Sequence, residues 1–322
     1  MNRAQTPSFI FSYYYSPVPD ICSMDPRLKE IAETLAKDAN SGASEMMSAI
    51  LNSLLAISDD ELASIPASEW EDFSVALYNA KPSIAPVFNI ANTILMQMEH
   101  GPHGAHFLHD ALLEMMERER RSGLRIAEQA IKHVKGNWFM TTSHSSTVAQ
   151  VLRAIAKDRW VKVSVAEASP GGEGRQFAKL LSAHGMDAEV IYDSTIFARM
   201  EDVDGAISGA DSVTHSGVVN KVGTRILAEA AKVNDLPAYA VCGWSKISPV
   251  VLSDLVVKTD PLGPRLTEHV QIFESTPLDL FSHIITDQGM LTSADLRMEL
   301  RVKKVARSWY ARGMFKKSEN GN

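Results

Sequence analysis

The feature that most constrains the fold is a regular alternation of apolar and amphipathic runs in the second half of the chain. Five short runs after Gly136 have the composition of strands, namely WFMTTS, VKVSVAE, DAEVIYD, DGAISGA and PAYAVCG. Between them lie runs with helical periodicity, such as TVAQVLRAIAK, GRQFAKLLSAHG and ILAEAAKV. Strands that alternate with helices form a parallel sheet with right-handed crossovers. The second half is therefore predicted to be a Rossmann-like domain with a mainly parallel sheet.

The first half shows helical periodicity alone. Asp25 and Pro26 form a typical helix start, and apolar residues recur at helical spacing beyond them. A chain of 322 residues is long enough for two domains, because one domain takes about 100 to 200 residues. The predicted fold is α/β, with an N-terminal helical domain before the Rossmann-like domain. Its predicted parts are an arm (1–23), a helical domain (24–135), an α/β domain (136–310) and a tail (311–322), whose last residues KKSENGN are expected to be frayed.

Composition excludes several classes of protein. The formal net charge of −7 argues against general affinity for nucleic acid, which needs a basic face. The two cysteines, Cys22 and Cys242, have no spacing that suggests a disulfide and so fit a reducing cytoplasm. The aromatic N-terminus is too short and too polar to span a membrane. We therefore expect a cytoplasmic protein without a membrane or a direct nucleic-acid partner.

Four histidines recur at three-residue intervals between His100 and His109. The last two of them would share a helix face, which is one pattern of metal ligands. However, glycine and proline interrupt the run, and no acidic or cysteine ligand lies between the histidines. The run therefore favours a polar turn between helices over a metal site, and no metal or other cofactor is predicted.

The stretch 203–224 contains the first candidate for chemistry. Its apolar run ends abruptly at Asp211, and ligands of open α/β sheets bind outside the carboxyl ends of strands. Lys221 and two glycines precede a helix that begins near Thr224, and the start of a helix attracts anions. The stretch therefore predicts a phosphate cradle beside Asp211. A strand that ends in an aspartate capping the next turn would give the same pattern.

Four polar segments follow predicted strands, at 141–147, 167–175, 209–224 and 242–249. Because the carboxyl ends of parallel strands meet at one edge of a sheet, the segments are expected to form a pocket for a small anion. The candidate residues in it are Ser143, His144, Ser145, Asp211, Asn220, Lys221 and Lys246. Taken singly, each lysine could instead be a surface charge, and the histidine a hydrogen-bonded structural group.

These segments, together with FESTPLDLFSHIITDQG (273–289), resemble a known family. It unites the alpha, beta and delta subunits of translation initiation factor 2B with ribose-1,5-bisphosphate isomerase and methylthioribose-1-phosphate isomerase. The patterns NKxGT and TPxxLxxxIIT are specific to it, and the resemblance covers most of residues 24–300. It implies a helical domain followed by a Rossmann-like domain, dimers or larger homo-oligomers, and a pocket for a phosphorylated sugar or nucleotide.

The resemblance also implies roles for individual residues. Asp211 occupies the place of the catalytic aspartate of the isomerases, whereas Ser143 stands where they have a catalytic cysteine. The segment SGAS (41–44) matches a phosphate loop without its arginine, and Ser169 likewise replaces an arginine. The substrate-binding set that follows from the resemblance and the four segments is Gly42, Ala43, Lys81, His144, Ser145, Ser146, Asn220, Lys221 and Lys246.

Three functions remain open at this point. A serine hydroxyl is far less acidic than a cysteine thiol, whose pKa is about 8.5, so the serine at position 143 weakens the case for an enzyme. The first prediction is a regulatory protein that binds a phosphorylated sugar or nucleotide. The second is an aldose–ketose isomerase of a ribose phosphate that uses Asp211 and Ser143. The third is a structural dimer partner without a ligand.

Overall fold

A computed structural model describes residues 24–38, 41–101, 104–250 and 257–315. The predicted N-terminal arm lies outside these ranges. In the described part of the chain, no helix combines the length and the apolarity that crossing a membrane requires.

Helices form the first half. They are α1 (Pro26–Lys37), α2 (Ala43–Leu55), α3 (Asp59–Ser64), α4 (Ala67–Ala80), α5 (Ala85–Met98) and α6 (Gly104–His133). Helix α1 begins as the sequence predicts, because the Asp25 side chain accepts a hydrogen bond from the Arg27 N–H and Pro26 takes the first helical position. Helix α5 is the centre of the helical layer, with Val87, Phe88 and Ile94 fully buried.

The second half of the histidine run belongs to α6 rather than to a turn, since this helix begins at Gly104. His109 lies on it and places its Nδ1 3.3 Å from an oxygen of Asp59 on α3. Among the described residues no group of three or more metal-ligating side chains comes together.

The strands are β1 (Trp138–Thr142), β2 (Lys162–Ala166), β3 (Asp187–Ile191), β4 (Gly205–Ser208), β5 (Ser212–Thr214), β6 (Gly217–Lys221), β7 (Ala238–Val241), β8 (Val257–Gly263), β9 (Leu266–Gln271), β10 (Phe273–Thr276), β11 (His283–Thr286) and β12 (Gly289–Leu291). Seven of them form the main sheet in the order β12-β11-β7-β4-β1-β2-β3. It is parallel except for β12, which runs antiparallel to β11. Since the helices precede this sheet, the predicted fold class is confirmed.

Helices cover both faces of the main sheet. They are α7 (Ser146–Ala156), α8 (Glu173–Ala183), α9 (Ile196–Met200) and α10 (Thr224–Val233). One apolar cluster joins Val163 on β2 to Leu152 on α7, and another joins Ala206 on β4 to Leu227 on α10. Both faces are therefore buried, which is why the strands are nearly continuous apolar runs.

A smaller antiparallel sheet, in the order β10-β6-β5, follows Asp211 and was not predicted. Its strands form because Val213 and Val218 are buried partners across the β5–β6 pair. Asn220 and Lys221 therefore lie at the end of a strand. Strands β8 and β9 make a separate hairpin.

The C-terminal segment returns to the helical layer through α11 (Ser293–Val302) and α12 (Arg307–Ala311). Trp309 is fully buried, and its ring centroid lies 5.6 Å from those of Phe88 and Phe315. Met314 and Phe315 pack against the helical core, whereas residues 311–313 are exposed. The residues KKSENGN (316–322), which are expected to be frayed, lie outside the described residues. The division of the chain into domains at residue 135 stays a prediction.

Candidate functional site

The four polar segments lie side by side at one edge of the main sheet. Strands β7, β4, β1 and β2 are neighbours in that order and run parallel. Each strand therefore delivers the segment that follows it to the same edge, as expected for parallel strands. We call this edge the rim; it comprises 141–147, 167–175, 209–211 and 242–249.

Three side chains make a connected group at the rim. The Ser143 hydroxyl donates to Oε1 of Glu173 at 3.3 Å, and Nζ of Lys221 lies 2.7 Å from the same oxygen. Ser143 is 7% exposed and adopts a left-handed backbone conformation with φ of 64°. Lys221 thus reaches the rim, but its charge is already paired with Glu173.

Glu173 is a residue that the sequence analysis missed. It opens α8 directly after Gly171 and Gly172. A Cβ atom on Gly171 would lie 2.0 Å from Oε2 of Glu173 and 3.0 Å from Nζ of Lys221, so a glycine at this position leaves room for the ion pair. The local signal was present: an acidic residue in the first turn of a helix that follows a strand end.

Asp211 and Lys246 differ from the ion pair of Glu173 and Lys221 in their surroundings. Among the described residues, neither the carboxylate of Asp211 nor the ammonium of Lys246 has a hydrogen-bond or ion-pair partner. Lys246 is 6% exposed and ends the 3₁₀ turn Trp244–Lys246. Burial raises the pKa of Asp211, against the smaller opposing influence of the Lys246 and Lys221 charges. The two groups are therefore free to meet a ligand.

The side chains of several predicted site residues make contacts within the protein. The Asn220 carboxamide donates to the Thr224 hydroxyl at 2.9 Å, and Lys81 donates to the backbone carbonyl of Asp38. The Ser145 hydroxyl caps α7 by accepting from the Val148 N–H at 3.3 Å. His144 is exposed, and its ring packs edge-on against Phe177 with 5.1 Å between centroids.

The predicted phosphate cradle at the start of α10 is already filled by a carboxylate. One Glu274 oxygen accepts from the Gly223 N–H at 2.7 Å and from the Arg225 N–H at 2.9 Å. This corrects the prediction, because these amides are bonded within the chain. The preference of a helix start for negative charge is met by a side chain from β10.

The segments 41–44 and 141–147 both contribute to a groove of about 330 Å³. Ser44 lines it from the start of α2, and Ser146 lines it from the start of α7. Gly42 is exposed and donates its N–H to Glu45 at 3.1 Å, whereas Ala43 is buried. The groove therefore offers hydroxyl groups and the first turns of two helices at one end of the rim.

Cys242 lies directly after β7 and is fully buried. Burial raises the pKa of its thiol to about 12, so the sulfur stays protonated at neutral pH. Cys242 therefore does not supply a reactive thiol at the rim, since the thiolate is the reactive form.

Comparison with known proteins agrees with this architecture. The model of the initiation factor 2 subunit family matches residues 39–293. The chain belongs to this family. It is 28% identical over 269 residues to a translation initiation factor eIF-2B subunit 2-like protein of Pyrococcus horikoshii, covering 82% of this chain and 96% of that one.

A second relative carries the name of an enzyme. The ribose 1,5-bisphosphate isomerase of Pyrococcus furiosus is 24% identical over 289 residues, with coverage of 81% of this chain and 89% of that protein. Among solved structures, the translation initiation factor eIF-2B of Pyrococcus horikoshii superposes with a TM-score of 0.70 at 28% identity, covering 83% and 98% of the two chains. The family resemblance predicted from the sequence is thus confirmed. The relatives include a protein named as an initiation factor subunit and one named as an isomerase.

Proposed function

We propose that the protein is an initiation factor 2B-like protein that binds a phosphorylated sugar or nucleotide at the rim and acts as a regulatory subunit. The observation that carries the proposal is that Asp211 and Lys246, which lie at the same edge of the sheet as Ser143, have no hydrogen-bond or ion-pair partner for their side chains among the described residues. A nearly buried ammonium without a partner attracts a phosphate, since charge-assisted hydrogen bonds are the strong ones. A partnerless carboxyl group can bond the hydroxyls of a sugar. The hydroxyls of Ser44 and Ser146 add neutral donors in the adjoining groove.

Binding without turnover follows from the residues available for proton transfer. An aldose–ketose isomerisation needs one group that opens the ring and another that moves a proton between neighbouring carbons. Asp211, with its raised pKa, suits one of these tasks. The serine at 143 is a weak acid, and the thiol of Cys242 is buried and protonated. Of Asp211, Ser143 and Cys242, only Asp211 thus suits proton transfer by itself, whereas the reaction needs two groups.

One contact favours the isomerase alternative. The Ser143 hydroxyl already donates to a carboxylate, that of Glu173. A carboxylate in this position can accept the hydroxyl proton and thereby activate the serine. In this alternative Asp211 and Ser143 are the catalytic pair acting on a ribose phosphate, and Glu173 is the base behind the serine.

We further propose that the protein is a cytoplasmic homodimer or larger homo-oligomer. Helix α11 leaves Met298 and Val302 exposed by 68% and 74%, which suits a contact with a second copy. Light scattering over a range of protein concentrations tests this part, and a monomer at every concentration would exclude it.

Phosphorus NMR with ribose, methylthioribose and nucleoside phosphates tests the main proposal. We expect shifted or broadened ligand resonances without new ones, and loss of the effect in Lys246→Met. The matched control is Lys179→Met, because Lys179 is an exposed lysine on α8. New resonances that grow with time and disappear in Asp211→Asn would establish the isomerase instead.

Two further outcomes complete the test. Turnover gained by Ser143→Cys would identify a former isomerase site that now binds without reacting. A panel with no effect on any ligand resonance would contradict both functions and leave the structural dimer partner.

A further inference from the structure

A second cavity, of about 290 Å³, lies on the other side of the turn that carries Lys246. Its walls come from α2, α5 and α6, from Trp244 and Ser245 in the turn, and from Lys303 after α11. The rim residues Trp244 and Ser245 line it, whereas Ser143, Glu173, Asp211, Lys221 and Lys246 do not. It shares Glu119 and Ser122 with the groove of Ser44 and Ser146, so the cavity adjoins the site described above and does not contain its central charged groups.

The acidic groups that line this cavity already have partners. A Glu119 oxygen accepts from the Ser245 hydroxyl at 2.9 Å, and an Asp287 oxygen accepts from the Trp244 N–H at 2.6 Å. The guanidinium of Arg118 is paired with Glu114 on the same helix. Arg118 is thus paired with an opposite charge, whereas the hydrogen-bond partners of Glu119 and Asp287 are neutral groups.

Two lysines line the cavity, and neither is paired with a carboxylate of the described residues. Lys303 donates to the backbone carbonyl of Ile247, and no carboxylate of the described chain lies within 4.0 Å of its ammonium. Burial lowers the pKa of Lys303 to about 8. Lys304 also lines the cavity and is exposed, without an ion-pair partner among the described residues. The cavity therefore presents two lysines as well as the carboxylates of Glu119 and Asp287, and the cation beside its aromatic wall is Lys303.

The opposite wall is apolar and deformable. Met47, Met96 and Met115 line it together with Trp244, whose ring centroid lies 5.9 Å from the Lys303 ammonium. Unbranched thioether side chains adapt to ligands of different shape and make favourable contacts with aromatic rings. A group that fits here has an apolar or aromatic body and places its charge at the lysine.

We propose that this cavity is a second ligand site, for a small anion with one carboxylate or phosphate group on an apolar or aromatic body. Its volume lies near the lower end of ordinary small-molecule pockets, which suits a single ring with a short side chain. The anion bonds to Lys303, and the body lies between Trp244 and the methionines.

The position of the cavity links it to the rim. The carbonyl of Ile247 accepts from Lys303 and, at 3.1 Å, from the Asn89 carboxamide, which also donates to Ser245 at 2.6 Å. An anion competes with this carbonyl for the protons of Lys303, and so acts on the turn that holds Lys246. This regulatory link depends on the proposed function, whereas binding in the cavity does not.

Ligand-observed NMR with phenyl phosphate and 3-phenylpropionate tests the site. We expect both to bind the wild type, and Lys303→Met to weaken both by about tenfold, the order expected for losing a charged hydrogen bond. Lys179→Met, at an exposed lysine on α8 that does not line the cavity, is the matched control, and Lys246→Met reports whether the anions bind at the rim instead. Benzyl alcohol, which has the ring without the charge, is expected to bind at least about tenfold more weakly than the two anions.

Met115→Trp gives a second variant that narrows the cavity while Lys303 remains, and it is expected to lose both anions. Circular dichroism and a thermal melt verify that each variant is folded. Equal affinity in Lys303→Met and wild type, or no binding to the wild type, overturns the proposal. Loss in Lys246→Met with retention in Lys303→Met also overturns it, because the anions then bind at the rim, as the proposed function requires.

Discussion

Two carboxylates at the rim, those of Glu173 and Asp211, have opposite surroundings. Glu173 shares one oxygen between the Ser143 hydroxyl and the Lys221 ammonium. Asp211 has no such partner among the described residues, and burial raises its pKa. Ionisation of Asp211 therefore lowers the stability of the folded protein. Functional sites often contain groups that lower stability in this way.

Asp211→Asn tests this cost through the pH dependence of stability. Because the folded-state pKa is raised, the carboxyl group contributes stability that is fully present below its unfolded pKa, about 4, and is lost as the pH rises through the folded value. The asparagine does not titrate. We therefore expect the variant to gain stability relative to wild type between pH 4 and pH 8, by about 1.4 kcal/mol for each unit of the raised pKa.

Thermal unfolding of both proteins at several pH values measures the difference. Asp158→Asn, at an exposed aspartate, controls for the loss of one negative charge. A difference between variant and wild type that stays constant from pH 4 to pH 8 would contradict the raised pKa.

At the scale of elements, the starts of helices decide which groups can serve a ligand. Helix α7 is capped by Ser145, α11 by Thr292, and α10 by Glu274 from a neighbouring strand. The start of α10 therefore belongs to the fold, although the sequence around Lys221 suggested a phosphate site. The starts of α2 and α7, by contrast, line an open groove through Ser44 and Ser146.

Glu274→Gln tests the role of this carboxylate. It removes the negative charge at the helix start and keeps the size of the side chain, so we expect a loss of about 1 kcal/mol in the free energy of unfolding. Urea denaturation measures the loss, with Glu268→Gln on the exposed face of β9 as the control. Identical midpoints for the two variants would show that α10 does not depend on Glu274.

At the scale of the whole molecule, polar contacts join the helical layer to the smaller sheet next to the rim. Ser212 is fully buried; its hydroxyl accepts from the Ala85 N–H at 2.8 Å and donates to the Ser83 carbonyl at 2.5 Å. The Asn89 carboxamide on α5 donates to the carbonyls of Ser245 and Ile247, in and next to the turn that holds Lys246. Helix α12 adds an apolar contact through Trp309. These contacts predict that the layers unfold together.

Ser212→Ala tests this coupling. The variant leaves the buried Ala85 N–H without its acceptor, which costs about 1 to 3 kcal/mol. We expect a lower urea midpoint and still a single transition by both circular dichroism and tryptophan fluorescence. Ser182→Ala, at an exposed serine of α8, should leave the midpoint near that of wild type. Transitions that separate by probe would mean that the layers unfold independently.

The elements with a strong local pattern were predictable from the sequence. The parallel strands β1, β2, β3, β4 and β7 follow from their apolar runs, and α1 follows from the Asp25 and Pro26 pair. The position of Asp211 at the rim was predictable because this residue follows a strand of a parallel sheet, and its role in a site stays a prediction. Side-chain periodicity and helix capping depend on residues close in sequence, so they are visible in the chain itself.

The partners of the charged groups depended on contacts between residues far apart in the chain. Glu173 meets Lys221, and Glu274 meets an amide 51 residues earlier. The burial of Trp309 among helices from the first half is a contact of the same kind. A pairing across such a distance leaves no periodic trace in the sequence. Whether a lysine has a charged partner, like Lys221, or has none among the described residues, like Lys246, was therefore decided by folding, which set the neighbours and the solvent exposure of each charge.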